Sequence, residues 1–396
     1  MQKELLFTNA TVNQQFPEIR PDAAELARSP LEEYVLGEMP ADLRAIHEKR
    51  MTREELSAKQ AALLEELGPQ IAMNQDPDVA KLTQLDLLFM FGGHIPAGKD
   101  MYRSAPPALL GLISEQCDRF SHIGLRPYMT YEMIVDFNAA EYARTGNMRV
   151  YADGPDGEQE RDFYLGHHVA EPYAKAAAYQ LRTLADQPDK VNATALLENA
   201  VTNLRTFGDY MKAYGRLPKD TFNYFRIYLS SYADGTRNAS GAFMPSVQLL
   251  ELATMAPTDM YDVYLDESHP YFPDWAAPVI QEWRTLSASG INIEDRLATG
   301  SLELDDQGRT ALNNMLELFL QFRMTHLGIT KAQIPEAFST LDGLHKSGIV
   351  KDTDEKQILA PDYKGTAGFD VRNVLTNSVV RLANLQRRLG GSAVSG

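Results

Sequence analysis

Apolar residues recur along this chain at intervals of three and four, with short Pro- and Gly-containing breaks between the runs. That period is the signature of helices packing one face inward. Residues 48–67, EKRMTREELSAKQAALLEEL, are rich in strong helix formers with opposite charges at helical spacing. Residues 77–91, PDVAKLTQLDLLFMF, read as a core helix closed by Gly92-Gly93. The same pattern returns near 163–187, 192–214, 219–233, 246–255, 272–288, 308–331 and 368–389. Residues 149–162, RVYADGPDGEQERD, carry turn chemistry and are expected to form a surface hairpin or loop. Residues 340–367, long, polar and Gly-containing, are expected to form a lid. Strand signals are few. The expected fold is all-α, with a small N-terminal helical domain over 1–120 and a large helical bundle over 121–396.

Charge narrows the set of partners. With 38 basic and 54 acidic residues the net charge is -16, which repels phosphate backbones and anionic membranes, so nucleic acid is not expected as a partner. No apolar run approaches the roughly 18 residues of a membrane-spanning helix. The opening MQKELLFTNATVNQQF lacks the basic-then-apolar order of a signal peptide, so a cytoplasmic location is expected. Cys117 is the single cysteine. It excludes a disulfide framework within the chain and is read as a small buried hydrophobe.

The most informative chemistry lies in ALNNMLELFLQFRMTHLGITK at 311–331. Met315, Phe319, Phe322 and His326 share one helical face there. A histidine ending an apolar, aromatic stripe can place an imidazole on a haem iron while flat groups pack the porphyrin, and Arg323 beside it could reach a propionate. A core histidine with satisfied hydrogen bonds gives the same pattern. In LPKDTFNYFRIYLSSYA at 217–233, Arg226 stands among Phe222, Tyr224, Phe225, Ile227 and Leu229 and needs an anionic partner. A ligand carboxylate or an internal salt bridge would serve. Ser240-Gly241-Ala242 lets backbone approach a flat ligand. YKGTAGFD at 363–370 offers backbone and hydroxyl donors to an anion, and equally suits an ordinary helix start.

Taken in order, these segments resemble the indoleamine 2,3-dioxygenase family and, more distantly, tryptophan 2,3-dioxygenase. FRMTHLGITK at 322–331 is similar to the family's proximal-helix motif, and PKDTFNYFRIYLSSY to the segment carrying its substrate-carboxylate arginine. YKGTAGFD, NASGAFMPSVQ and PYMTYEMIVDFN (127–138) resemble its substrate loop, its Gly/Ser-rich loop and its indole-pocket segment. The matches span roughly residues 80–390. The resemblance implies haem b, dioxygen as co-substrate and a small indole amino acid or amine as substrate. It makes His326 the axial ligand, Arg226 the carboxylate clamp, and Thr366 a contact to the substrate's ammonium or carboxylate. Tyr131, Ile134 and Val135 would wall the indole pocket with Phe163 against the ring. Ser240, Gly241 and Ala242 would lie over the haem edge.

Two departures qualify the resemblance. Where the indoleamine family has serine, DFYLGHHVAEPY places His167, with His168 beside it. A distal histidine on the indole N–H is the tryptophan 2,3-dioxygenase arrangement. The two imidazoles are about 100° apart on a helix, so one faces the iron, with His167 favoured. Thr221 stands where the family has an aromatic residue, and the Gly/Ser loop is not its usual Gly-Gly-Ser-Ala-Gly. These changes leave open a substituted indole, or the rearrangement chemistry of the pyrrolnitrin branch. The alternatives to cleavage of an indole C2–C3 bond are a non-catalytic haem sensor and a non-haem metal site from His167, His168 and Glu171. No Glu-x-x-His motif supports the last. Oligomeric state stays open.

Overall fold

A computed structural model describes residues 28–212, 217–333 and 371–391, and the fold is all-α, with no strand among them. None of the described helices is long and apolar enough to cross a membrane. The helices are α1 (Met39–His47), α2 (Arg53–Met73), α3 (Pro77–Gly92), α4 (Pro107–Arg119), α5 (Asn138–Thr145), α6 (Gly154–Asp186) and α7 (Ala193–Lys212). They continue with α8 (Lys219–Arg226), α9 (Pro245–Thr254), α10 (Asp259–Ser268), α11 (Ala276–Ala288), α12 (Ile293–Ala298), α13 (Asp306–Gln333) and α14 (Val371–Gly391).

Local chemistry explains most of the starts. Thr52 and Glu55 form a reciprocal capping box on α2: Glu55 N–H donates to Thr52 Oγ1 (3.1 Å), and Thr52 N–H to Glu55 Oε2 (2.7 Å). Asp76 caps α3, accepting from the Asp78 N–H at 2.8 Å, and Pro77 supplies the first helical residue without an orphan donor. Asn292 caps α12 the same way, at 2.9 Å from the Asp295 N–H. α3 ends at Gly92, and its residues Leu85–Gly92 are all buried, in accord with a core helix.

The chain divides into two compact units. The first comprises the described residues up to Val169 with Asp220–Phe243 and Tyr271–Asp274. The second comprises Ala170–Lys219, Met244–Pro270 and the described residues from Trp275 onward. The chain first passes from one unit to the other within α6, between Val169 and Ala170. In the second unit, α13 packs on α7 and α14, and α9 on α11. The α6 residues of that unit contribute Ala170, Ala174, Ala177, Ala178, Leu181 and Leu184, a buried stripe of mostly small residues that lets neighbouring helices approach closely.

The expected surface loop at 149–162 is corrected. Residues from Gly154 are helical, and Arg149, Tyr151, Ala152 and Glu160 are fully buried. Arg149 forms an ion pair with Asp86 of α3, each side chain 0% exposed. Its backbone is held twice by Asn138, whose Oδ1 accepts the Arg149 N–H (2.9 Å) and whose Nδ2–H donates to the Arg149 carbonyl (2.8 Å). Glu160 accepts the Tyr151 and Ala152 N–H groups and the Tyr164 hydroxyl. Asp-Gly-Pro thus starts a helix that folds back on a buried segment. Gly157 permits this: a Cβ there would stand 2.4 Å from the Ala152 carbonyl oxygen. Intrinsic propensity favours Gly→Ala in a helix by about 1 kcal/mol. Overlap with backbone outweighs that, so Gly157→Ala is expected to lower stability by about 1–3 kcal/mol, read as a depressed thermal midpoint.

Candidate functional site

In the first unit an aromatic cluster forms around His167. α6 carries Phe163 and His167 one turn apart, and their rings meet at 4.6 Å between centroids. Tyr131 approaches the same imidazole edge-on at 6.3 Å. Phe225 and Phe222 of α8 pack on Phe163 at 5.4 and 6.0 Å. His167 Nδ1 lies 2.9 Å from the Phe163 carbonyl oxygen. A carbonyl oxygen can only accept, so Nδ1 carries the proton and Nε2 is the ring's acceptor nitrogen. Burial holds the imidazole down at about 4, so it is neutral at physiological pH. Gly241 lies beside it: a Cβ there would stand 3.6 Å from Nε2.

His168 points elsewhere. Its Nδ1–H donates to Asp136 Oδ1 at 2.8 Å. Glu171 Oε1 accepts the Ser246 N–H at 3.2 Å, capping α9, whose own N-cap Met244 has no side-chain acceptor. The three groups of the non-haem alternative thus have separate structural uses. Among the described residues no group of three or more His, Cys, Asp or Glu side chains converges as a metal site.

Ile134 and Val135 are buried in a π-helical turn, Met133–Phe137, that leads into α5. Arg226 is half-buried at the C-terminal end of α8, where the chain tightens into a 3-10 turn, Ile227–Leu229. Ser240 Oγ accepts the Ala242 N–H at 3.2 Å, starting the short turn Gly241–Phe243 ahead of α9. Thr221, expected near the substrate ring, is buried with its hydroxyl donating to Asp156 Oδ1 (2.6 Å), a tie between α8 and the start of α6. Phe222, one residue on, makes one of the ring contacts on Phe163.

In the second unit, His326 is half-exposed near the end of the α13 stripe, its ring 5.9 Å from Phe322. Two residues expected to contact haem lie in the core. Phe319 is enclosed by protein, 0% exposed. Arg323, expected to reach a propionate, is buried in an ion pair with Glu251 of α9 at 2.5 Å, and the Ser378 hydroxyl of α14 donates to the same carboxylate oxygen at 2.9 Å. Removing either partner of a pair so buried would leave an uncompensated charge. Phe322 packs on Phe207 of α7 at 4.7 Å. Thr366 and the 340–367 segment lie outside the described residues.

Sequence reasoning missed the Glu251 partner, which lies 72 residues from Arg323. It also did not single out His94, a fully buried histidine whose two nitrogens meet Ser104 Oγ (3.1 Å) and Gln60 Oε1 (2.9 Å). Cys117 is half-buried, its sulfur 3.3 Å from Gln84 Nε2, and burial pushes its thiol up to about 11, which keeps it inert. No family model matches this chain, and no curated protein does.

Proposed function

We propose that the chain is a haem-dependent dioxygenase cleaving the C2–C3 bond of an indole, with tryptophan or a related indoleamine as substrate. One observation carries the reading: a neutral imidazole, its Nε2 an acceptor, set among the Tyr131 and Phe163 rings and alongside Gly241. An indole needs just these things, a flat apolar surround and one acceptor for its ring N–H.

His326 is the residue suited to the iron. A haem would be held by the His326 imidazole, which is half-exposed on a long helix anchored by the Arg323–Glu251 pair one turn earlier. Bound haem would supply the activation of dioxygen. The chain's own groups position the substrate. His167 Nε2 holds the indole N–H, and the proton stays on the indole nitrogen because the ring double bond is itself the nucleophile. Tyr131 and Phe163 keep water from the ring. Arg226 takes the carboxylate in a bidentate hydrogen bond.

The test is the ferrous, haem-loaded protein in air, with and without L-tryptophan. Substrate-dependent decay of the oxy spectrum with formation of N-formylkynurenine is expected. A long-lived oxy form unchanged by tryptophan, with no product, would mark a haem sensor instead. Arg226→Ala should retain haem while the KM for tryptophan rises at least about thirtyfold, as loss of a charged clamp worth about 2 kcal/mol implies. Tryptamine, lacking the carboxylate, should be unaffected; equal KM values for tryptophan in the two proteins would remove the clamp assignment.

A further inference from the structure

α8 is too short to hold itself in place. Its 8 residues are fewer than an isolated helix needs to persist in water, and only Thr221 and Phe225 among them are buried. Its position therefore depends on what grips it from outside. It carries two residues of the proposed site: Phe222, which packs on the Phe163 ring at 6.0 Å, and Arg226, one turn later on the same face.

The grip comes from polar groups that the proposed chemistry does not use. The Thr221 hydroxyl donates to Asp156 Oδ1 at 2.6 Å, and Asp156 Oδ2 accepts from Arg44 Nη2 of α1 at 2.9 Å. Arg44 also pairs with Asp153 and lies 5.5 Å from the centroid of the Tyr224 ring. One guanidinium thus reaches the first turn of α8 through Asp156 and its middle through Tyr224. Asp156 stands in the first turn of α6, where a helix favours negative charge. The Thr221 hydroxyl and then the Arg44 guanidinium hold its carboxyl below the usual carboxylate range. The carboxylate is ionised at neutral pH, and the hydroxyl bond to it is charge-assisted.

We propose that Thr221, Asp156 and Arg44 form a latch that positions α8 against Phe163, and so fixes the Phe222 ring on the indole side of the site. The three are positioning residues that act through Phe222. The latch holds the first turn of α8, where Phe222 lies. Arg226 is held from the other end, where the chain runs into the buried Tyr228 and Leu229. Loss of the latch therefore weakens the hold on an indole whatever its side chain carries. Loss of Arg226 matters only to substrates with a carboxylate. The effect on substrate rests on the dioxygenase reading; the grip on α8 does not.

Hydrogen exchange in the full chain as purified reads the grip directly. Thr221→Val keeps the shape and removes the hydroxyl, and backbone amides over 223–229 should exchange about tenfold faster, the effect of losing a hydrogen bond to a charged group. Thr221→Ser should restore the parent's rate. The double variant Thr221→Val, Asp156→Ala should exchange no faster than Asp156→Ala alone, because both changes break the same bond. Parent-like exchange in Thr221→Val, or fully additive effects in the double variant, would overturn the latch. In the haem-loaded protein, Thr221→Val should raise KM several-fold for L-tryptophan and tryptamine alike with little change in kcat, whereas Arg226→Ala raises only the first. Faster exchange with both KM values unchanged refutes the role at the site. A parent that never converts tryptophan refutes the dioxygenase reading, and the exchange rates then decide the latch alone.

Discussion

His326→Ala is expected to leave haem reconstitution with no retained Soret band. The side chain is half-exposed at a helix position already fixed by its neighbours, so its removal should cost little stability. Arg323 remains paired with Glu251 and Phe322 remains packed on Phe207, which keeps α13 in place. Loss of haem with an unchanged helical circular dichroism spectrum therefore reports loss of the axial donor and not of the fold. His326→Gly with added imidazole separates the two further: a restored band means the protein lacked only a ligand. Wild-type-like haem retention in the alanine variant would sink the axial assignment, and with it the iron chemistry.

Arg149→Ala is expected to destabilise the first unit by about 3–5 kcal/mol, the usual consequence of stripping one partner from a buried ion pair. Both Arg149 and Asp86 are 0% exposed, so water cannot solvate the carboxylate left behind. The lost volume adds a cavity against α3. Chemical denaturation should show an earlier midpoint. A double variant, Asp86→Leu with Arg149→Met, replaces the pair with apolar groups of similar bulk and should recover much of the loss. A single alanine variant as stable as the parent would show that Asp86 finds another partner and that the pair contributes little.

Much of the helical order could be read from the chain because local signals and tertiary packing agree. α3 is the clear case: an Asp-Pro start, an apolar run that is buried almost throughout, and a Gly-Gly end. The 149–162 segment failed because Gly, Pro and Asp mark a tight turn and a helix N-terminus alike, and only the distant Asp86 decides that the segment goes inside. α10 was passed over because its acidic residues obscure the apolar period. Periodicity also cannot reveal that stretches 220–243 and 271–274 belong to the first compact unit. At the site, the i to i+4 spacing of Phe163 and His167 was legible as one helical face. The contact of His168 with Asp136, more than thirty residues away in sequence, was not legible. The partners of Arg323 were not legible for the same reason. An aromatic and a cation one turn from a histidine suit a cofactor or a core equally, and Glu251 and Ser378 meet Arg323 from other helices.

The three-stretch make-up of the first unit bears on how the molecule is made. Its last piece, Tyr271–Asp274, is synthesised after intervening stretches that belong to the other unit. Stepwise co-translational completion, N-terminal body first, is therefore denied to this chain. Buried surfaces such as the one Phe243 shares with Tyr271 and Phe272 stay open to water until that last piece has been made.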